Sequence, residues 1–310
     1  MGIYGSKNHL LVASIDIFGC SDIMGQIIRD NLHLQVGSPY HYPTTRYRLR
    51  ELSRQMDVNS LEIAAIQYKD HPFLVFVTVD VFIQEEMLLL WRKSPISWKT
   101  IDPKLLHFLE TARTCYPNDT SPSSRVLLQV MENIWLPCIN TLTEDYRPVQ
   151  RSLAALFLGW VPGEIEVINA LLDALTDSDA TVRNNAGLSL LRFCQNAQTR
   201  AIIANRAVSV VTLLHSPFTL DRNKAAAILL ELIDLPSVRA AIDCRAVARL
   251  HQMANLHQPN NTLLARLILA HLGRYPFPIP LILLGAKTRQ LVLRLQTHLW
   301  QSRQRSADRR

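Results

Sequence analysis

The chain has 310 residues, of which 48% are hydrophobic, and this is enough apolar material for a sizeable core. No run reaches the roughly 18 uncharged apolar residues that a membrane span requires. The net charge of +7 arises at the C-terminal end, where residues 274–310 carry eight Lys and Arg against the single Asp308. A basic tail of this kind, without an aromatic platform, indicates at most sequence-independent attraction to nucleic-acid phosphates.

The five cysteines are odd in number and far apart, which is typical of reduced thiols in a cytosolic or nuclear protein. No signal-peptide pattern occurs at the N-terminus. The opening "MGIYGSK" matches the N-myristoylation pattern with Gly2 as acceptor. The predicted localisation is therefore cytoplasmic or nuclear, with weak membrane-surface contact through the termini if Gly2 is acylated.

The first 120 residues are predicted to form an N-terminal helical region. Capped amphipathic patterns predict helices over "SDIMGQIIRDNL", "TTRYRLRELSRQM" and "NSLEIAAIQY", and further helices starting at Pro72, Pro103 and Pro122. The segments "LLVASIDIF" and "FLVFVTVDVF" are rich in β-branched and aromatic residues, so they fit either a strand or a buried helix. Their helical neighbours favour helix. If both are strands, a small sheet exists and the all-α prediction fails.

A repeat occupies the second half of the chain. "RAIIANRAV" from Arg200 returns as "RAAIDCRAV" from Arg239, 39 residues later. An Arg-x-x-Ala motif followed by an apolar run occurs three times, with Ala154, Ala186 and Ala225, and a weaker fourth copy contains Ala265. The steps between these alanines are 32, 39 and 40 residues. A recurring period of this length indicates stacked helical units that complete each other's core.

Each unit is predicted to contain a short helix, a longer helix and a Leu-rich third helix. This order resembles the armadillo repeat family over residues 149–273, with the two-helix HEAT repeats as the close alternative. The resemblance implies an all-α fold, a right-handed α-solenoid, over residues 121–273. Residues 274–310 then form a basic extension, in which Leu291, Leu295 and Leu299 lie on one stripe of a helix. That helix suits a solenoid cap, and a membrane-surface or partner contact is the alternative.

The resemblance also places a partner-binding groove on the third helices. Peptide-binding members of the family carry a Trp and, four residues later, an Asn on this helix. No copy of the repeat in this chain carries this Trp and Asn pair, which argues against an importin-like carrier of basic peptides. The groove would then select a mixed or apolar partner. The alternative is that these positions are merely solvated. The groove positions are Leu156, Leu188, Ala227 and Leu267, then Trp160, Arg192, Glu231 and His271, with Asn184 and Asn223 one turn earlier.

No catalytic or nucleotide-binding motif is present, and the ten histidines show no metal-ligand spacing. The sequence therefore predicts no enzyme, no cofactor and no metal. The predicted function is a non-catalytic scaffold or adaptor that binds another protein along the groove. The alternatives are a lipid-anchored adaptor and a regulatory subunit of an enzyme complex with a site in residues 1–120. A pocket that gathers His33, His41 or His71 with a carboxylate would favour an enzyme.

Overall fold

A computed structural model describes residues 10–56, 58, 60–67, 71–82, 91–96, 134–161 and 163–275 of the chain. These residues are mostly helical and include one three-stranded sheet. They belong to two compact units. The first combines Met1–Gln84 with Ala248–Arg310, and the second is Glu85–Val247.

The described elements are three strands and twelve helices. The strands are β1 (Leu11–Phe18), β2 (Ser60–Gln67) and β3 (Leu74–Phe82). The helices in chain order are α1 (Asp22–Leu32), α2 (Tyr42–Gln55), α3 (residues 134–144), α4 (Pro148–Leu158), α5 (Ile165–Ala174), α6 (Ala180–Phe193), α7 (Ala197–Asn205), α8 (Ala207–Leu213), α9 (Thr219–Glu231), α10 (Pro236–Arg245), α11 (Val247–Ala254) and α12 (Pro259–His271). None of the helices in this described part of the chain combines the length and the apolar character that a membrane crossing requires.

The first unit is built around the sheet, in which β3 lies between β1 and β2. β1 runs parallel to β3, and β2 runs antiparallel to it. Alternate residues of a strand point to the same face of a sheet, and the valines of β3 follow this period of two. These valines form one core with apolar side chains of α1 and α2; the set is Val75, Val77, Val79, Val81, Ile28, Leu32, Leu49 and Leu52.

The all-α prediction is wrong for this unit. "LLVASIDIF", "FLVFVTVDVF" and "NSLEIAAIQY" form β1, β3 and β2, and no helix starts at Pro72. Their β-branched residues pack well on a pleated surface, and the burial of a valine at every second residue of β3 needs the strand period. The helical neighbours were misleading, because α1 and α2 cover one face of the sheet without extending it. The helices predicted in α1 and α2 are confirmed, while most of those predicted from Pro103 and Pro122 lies outside the described residues.

The described residues of the second unit are mostly helical. The three helices that carry the Arg-x-x-Ala motifs, α4, α6 and α9, pack side by side, α4 against α6 and α6 against α9. The helices α5 and α8 directly precede α6 and α9. The predicted order of a short helix and then a longer one is wrong, because α7 and α10 have 9 and 10 residues and the helices after them, α8 and α11, have 7 and 8. No helix equivalent to α7 separates α4 from α5 in the described residues there, 159–161, 163 and 164. This omission explains why the first step is 32 residues and the next is 39.

The arginine of each Arg-x-x-Ala motif is completely buried. The Nη1 atoms of Arg151, Arg183 and Arg222 each donate to the carbonyl oxygens five and six residues earlier, at the end of the preceding turn. Arg151 and Arg183 also reach into the following repeat, where their guanidinium groups bind the carboxylates of Asp177 and Asp221. We call this series the arginine ladder. It joins the end of one helix to the next repeat by charge-assisted hydrogen bonds.

The small alanines occupy the positions that the repeat predicts. Ala186 and Ala225 are both 0% exposed at equivalent places in α6 and α9. The equivalence of the two "RAV" phrases also predicts that Val208 points inward, and this prediction is wrong, because its side chain is 43% exposed. The preceding alanines of the two phrases, Ala207 and Ala246, are the buried residues instead, at 3% and 0% exposure.

Candidate functional site

The surface formed by α4, α6 and α9 is the candidate site, and we call it the groove face. Residues four apart on a helix share a face, so the two groove positions of each helix project from the same side. Most of the predicted groove residues are half-buried, and Trp160 is 8% exposed. The half-buried set is Leu156, Asn184, Leu188, Arg192, Asn223, Ala227 and Glu231.

Small residues let neighbouring third helices approach closely. A side chain at Gly187 of α6 would meet the Cβ atom of Lys224 on α9 at 3.0 Å, and one at Gly159 would meet the hydroxyl of Ser189 at 2.5 Å. The Ser189 hydroxyl donates to the carbonyl oxygen of Ala155 at 2.7 Å, and the Asn185 amide donates to that of Ser152 at 3.0 Å. The groove face is therefore a packed surface whose width is set by the contacts between its helices.

Arg192 has an unusual environment for a groove residue. Its guanidinium carbon lies 5.3 Å from the ring centroid of Trp160, within the range of a cation–π contact. Burial lowers the pKa of Arg192 to about 10, so the group stays charged at neutral pH. Its Nη1 atom is buried and has no hydrogen-bond acceptor among the described residues. A buried donor without an acceptor is destabilising.

Lys224 and Asn223 extend this pattern onto α9. Burial lowers the pKa of Lys224, and no described residue accepts a hydrogen bond from its ammonium group. The side-chain oxygen of Asn223 is buried and likewise has no donor within the described part of the chain. The groove face thus combines two partly desolvated cations with apolar positions such as Leu156 and Leu188.

The remaining predicted site residues are not part of the groove face. Leu267 and His271 lie on α12, which belongs to the first unit, where Leu267 is buried and His271 is half-buried. Gly2 lies outside the described residues.

The sequence did not reveal that residues 91–96 dock on the turn before α6. The backbone N–H of Arg92 donates to Thr176 at 2.7 Å, and its guanidinium group binds the Leu142 carbonyl at 2.9 Å and the Asp177 carboxylate at 2.6 Å. The Trp91 ring lies over the guanidinium group of Arg183, with 3.9 Å from its carbon to the ring centroid. Residues 91–96 therefore cover the arginine ladder at this point.

Asp177 is the centre of these contacts. Burial raises the pKa of its carboxyl group, but hydrogen bonds from Arg151, the Asp179 backbone and Arg92 outweigh burial and hold the pKa below its ordinary value of 3.8. A sequence signal for the ladder was available. Asp145, Asp177 and Ser216 each precede a buried arginine by six residues.

The first unit contains a second concave feature, a cleft with a volume of about 630 Å³. Of the histidines singled out from the sequence, His33 lines it together with Asp30. His41 lies at the start of α2, with its Nδ1 2.6 Å from the Thr44 hydroxyl, and His71 packs near Phe76. His257 also lines the cleft, which the sequence gave no reason to expect. Among the described residues no group of three or more His, Cys, Asp or Glu side chains could hold a metal ion.

No protein-family model matches this sequence, and no curated protein is significantly similar to it.

Proposed function

We propose that the protein is a non-catalytic scaffold or adaptor that binds a partner protein along the groove face. In this proposal the armadillo-like repeats continue as a right-handed α-solenoid over residues 121–273, and the groove face is its concave binding surface. The observation that carries the proposal is Arg192, a partly desolvated cation with a buried N–H group that lacks an acceptor among the described residues. Withdrawing a cation from water costs free energy, and a hydrogen-bond acceptor on a partner would offset this cost.

The residues of the groove face indicate the chemistry of the partner. Leu156 and Leu188 offer apolar contact, while Arg192 and Lys224 offer positive charge. A peptide or helix with apolar side chains and at least one carboxylate would match both. Arginine and tryptophan are the residue types that most often dominate binding energy at interfaces, and here Arg192 lies over Trp160.

Affinity purification with matched variants tests the proposal. The groove variant is Arg192→Glu, and the control is Arg245→Glu, which makes the same charge change at an exposed position of α10. Proteins captured by the wild type and the control but lost by Arg192→Glu are candidate partners, and each is then titrated in purified form. We expect Arg192→Glu to weaken binding by at least about tenfold and Arg245→Glu by less than about twofold. Equal retention of every captured protein by all three forms would refute the groove as the binding surface.

A second candidate function rests on a separate observation. The cleft of the first unit is lined by His33 and Asp30, and a histidine beside a carboxylate in a pocket favours the alternative of an enzyme, or of a regulatory subunit of an enzyme complex, with a site in residues 1–120. A lipid-anchored adaptor stays the other alternative, and mass spectrometry of the intact N-terminal peptide would decide whether Gly2 is acylated.

A further inference from the structure

The cleft of the first unit lies beside the edge strand β1. Ser14 of this strand, the C-terminal end of α1 with Arg29 and His33, and the loop residue Gln35 contribute to its walls. His257, which precedes α12, closes another side. Its volume of about 630 Å³ falls within the roughly 300–1,000 Å³ typical of small-molecule sites.

His257 is held in place by Asp16 of β1. The Asp16 carboxylate accepts hydrogen bonds from the backbone N–H groups of His257 and Gln258, each at 3.0 Å, and from Nδ1 of His257 at 2.8 Å. An ionised carboxylate only accepts, so Nδ1 carries the proton in this contact. The other ring nitrogen, Nε2, has no partner among the described residues. The backbone N–H groups that precede α12 in turn stabilise the negative charge of Asp16.

Three further polar groups of the cleft have unused hydrogen-bonding capacity. The Ser14 side chain is 7% exposed, and its hydroxyl has no partner within the described part of the chain. Arg29 uses one N–H group, which donates to the Ile15 carbonyl at 3.0 Å, and the rest of its guanidinium is uncommitted. The His33 imidazole makes no hydrogen bond to a described residue.

Two carboxylates lie at or beside the cleft. Asp16 binds His257 and the backbone before α12, and Asp30, which lines the cleft, accepts from the Gln26 amide at 2.7 Å. The donors that are left over belong to the Arg29 guanidinium, the His33 imidazole and the buried Ser14 hydroxyl. This set complements negatively charged oxygen atoms. We infer that the cleft binds a small organic oxyanion, either a carboxylate or a phosphate ester, with Arg29 as the charged anchor and Ser14 and His33 as hydrogen-bonding groups.

Isothermal titration calorimetry of the full chain with three matched sugar probes tests this inference. The probes are glucose phosphorylated on its primary hydroxyl, glucuronate, in which the same carbon is a carboxylate, and glucose, so that one sugar ring carries a phosphate, a carboxylate or no charge. At least one anionic probe should bind about tenfold or more tightly than glucose. The phosphate and carboxylate arms distinguish the two sources of the oxyanion. If neither anion binds at concentrations up to about 10 mM, or glucose binds as tightly as both, the inference is wrong.

Variants locate the binding in the cleft. Arg29→Gln should weaken the preferred anion by about tenfold or more, whereas Arg54→Gln, an exposed arginine on α2 paired with Glu51, should change it by less than about twofold. His33 has a left-handed backbone conformation with φ of 52°, which Asn tolerates, so His33→Asn tests the imidazole if Arg29→Gln fails to fold. We expect His33→Asn to weaken the anion by about threefold or more. Unchanged affinity in the folded variants would place any binding elsewhere and overturn the inference.

Discussion

The arginine ladder makes a quantitative prediction at Asp177. Its carboxylate accepts from Nη2 and Nε of the completely buried Arg151 at 2.8 Å and 3.0 Å, and from the guanidinium of Arg92 at 2.6 Å. It also accepts from the backbone N–H of Asp179 at 2.9 Å. Asp177→Asn keeps the shape of the side chain but removes its charge, and it turns one acceptor into a donor that faces guanidinium N–H groups.

The two cations contribute unequally to the expected cost. Arg92 is 24% exposed, so water screens its loss, and this part is worth at most about 1 kcal/mol. Arg151 is 0% exposed, and leaving a buried charge uncompensated costs about 3–5 kcal/mol. Arg151 retains the carbonyl oxygens of Asp145 and Tyr146 as acceptors. We therefore expect the lower end of that range, about 3 kcal/mol, which is a large share of the roughly 5–15 kcal/mol that stabilises a typical protein.

Urea unfolding followed by far-ultraviolet circular dichroism measures this free energy. Asp173→Asn is the matched control, because Asp173 lies one turn earlier and pairs with Arg206 at 2.6 Å, but the side chains are 55% and 38% exposed. Its expected cost is below about 1 kcal/mol. If the two variants lose the same small amount of stability, the arginine ladder is not a structural element, and the argument from burial is refuted.

Three further predictions concern stability and reactivity. Ala186→Leu and Ala225→Leu should each lower the free energy of unfolding by about 1–3 kcal/mol in the same urea assay, because both alanines are fully buried. The control Ala240→Leu, at an exposed site of α10, should lower it by less than about 0.5 kcal/mol. Unchanged unfolding midpoints in both buried variants would mean that the alanines are not interfacial. The pKa of Asp177 is lower in the folded chain than its ordinary value of 3.8, so its stabilisation is complete above that value and is lost as the pH falls below it. The difference in unfolding free energy between wild type and Asp177→Asn should therefore shrink on acidification below 3.8, and a difference that grows would contradict the assignment. Iodoacetamide should modify the exposed Cys244 in the native protein and spare the buried Cys138 and Cys194, because burial raises the pKa of both thiols to about 12. Peptide mapping measures the modification of each cysteine. If Cys138 or Cys194 reacts at the rate of Cys244, these thiols are not enclosed.

The repeat was predictable because its signal is local and periodic. The helices α6 and α9 follow from the Arg-x-x-Ala motif with its apolar run, and the burial of Ala186 and Ala225 follows from the equivalence of the motifs. The groove positions on α4, α6 and α9 rest on the same equivalence and stay a prediction. What the motif did not convey was the partner of each buried arginine. Arg183 pairs with Asp221 in the next repeat, whereas the position equivalent to Asp177 holds Ser216.

The sequence alone determined the helices α6 and α9 and, to within about two residues, the limits of α1 and α2, because caps and a period near 3.6 act within a few residues. Only the tertiary structure decided that β1 and β3 are strands. An apolar β-branched run fits a buried helix or a central strand, and the outcome depends on whether another strand supplies hydrogen bonds along its edge. The cleft needed the tertiary structure for the same reason. Asp16 and His257 are 241 residues apart in the chain, and only the packing of the first unit brings them into contact.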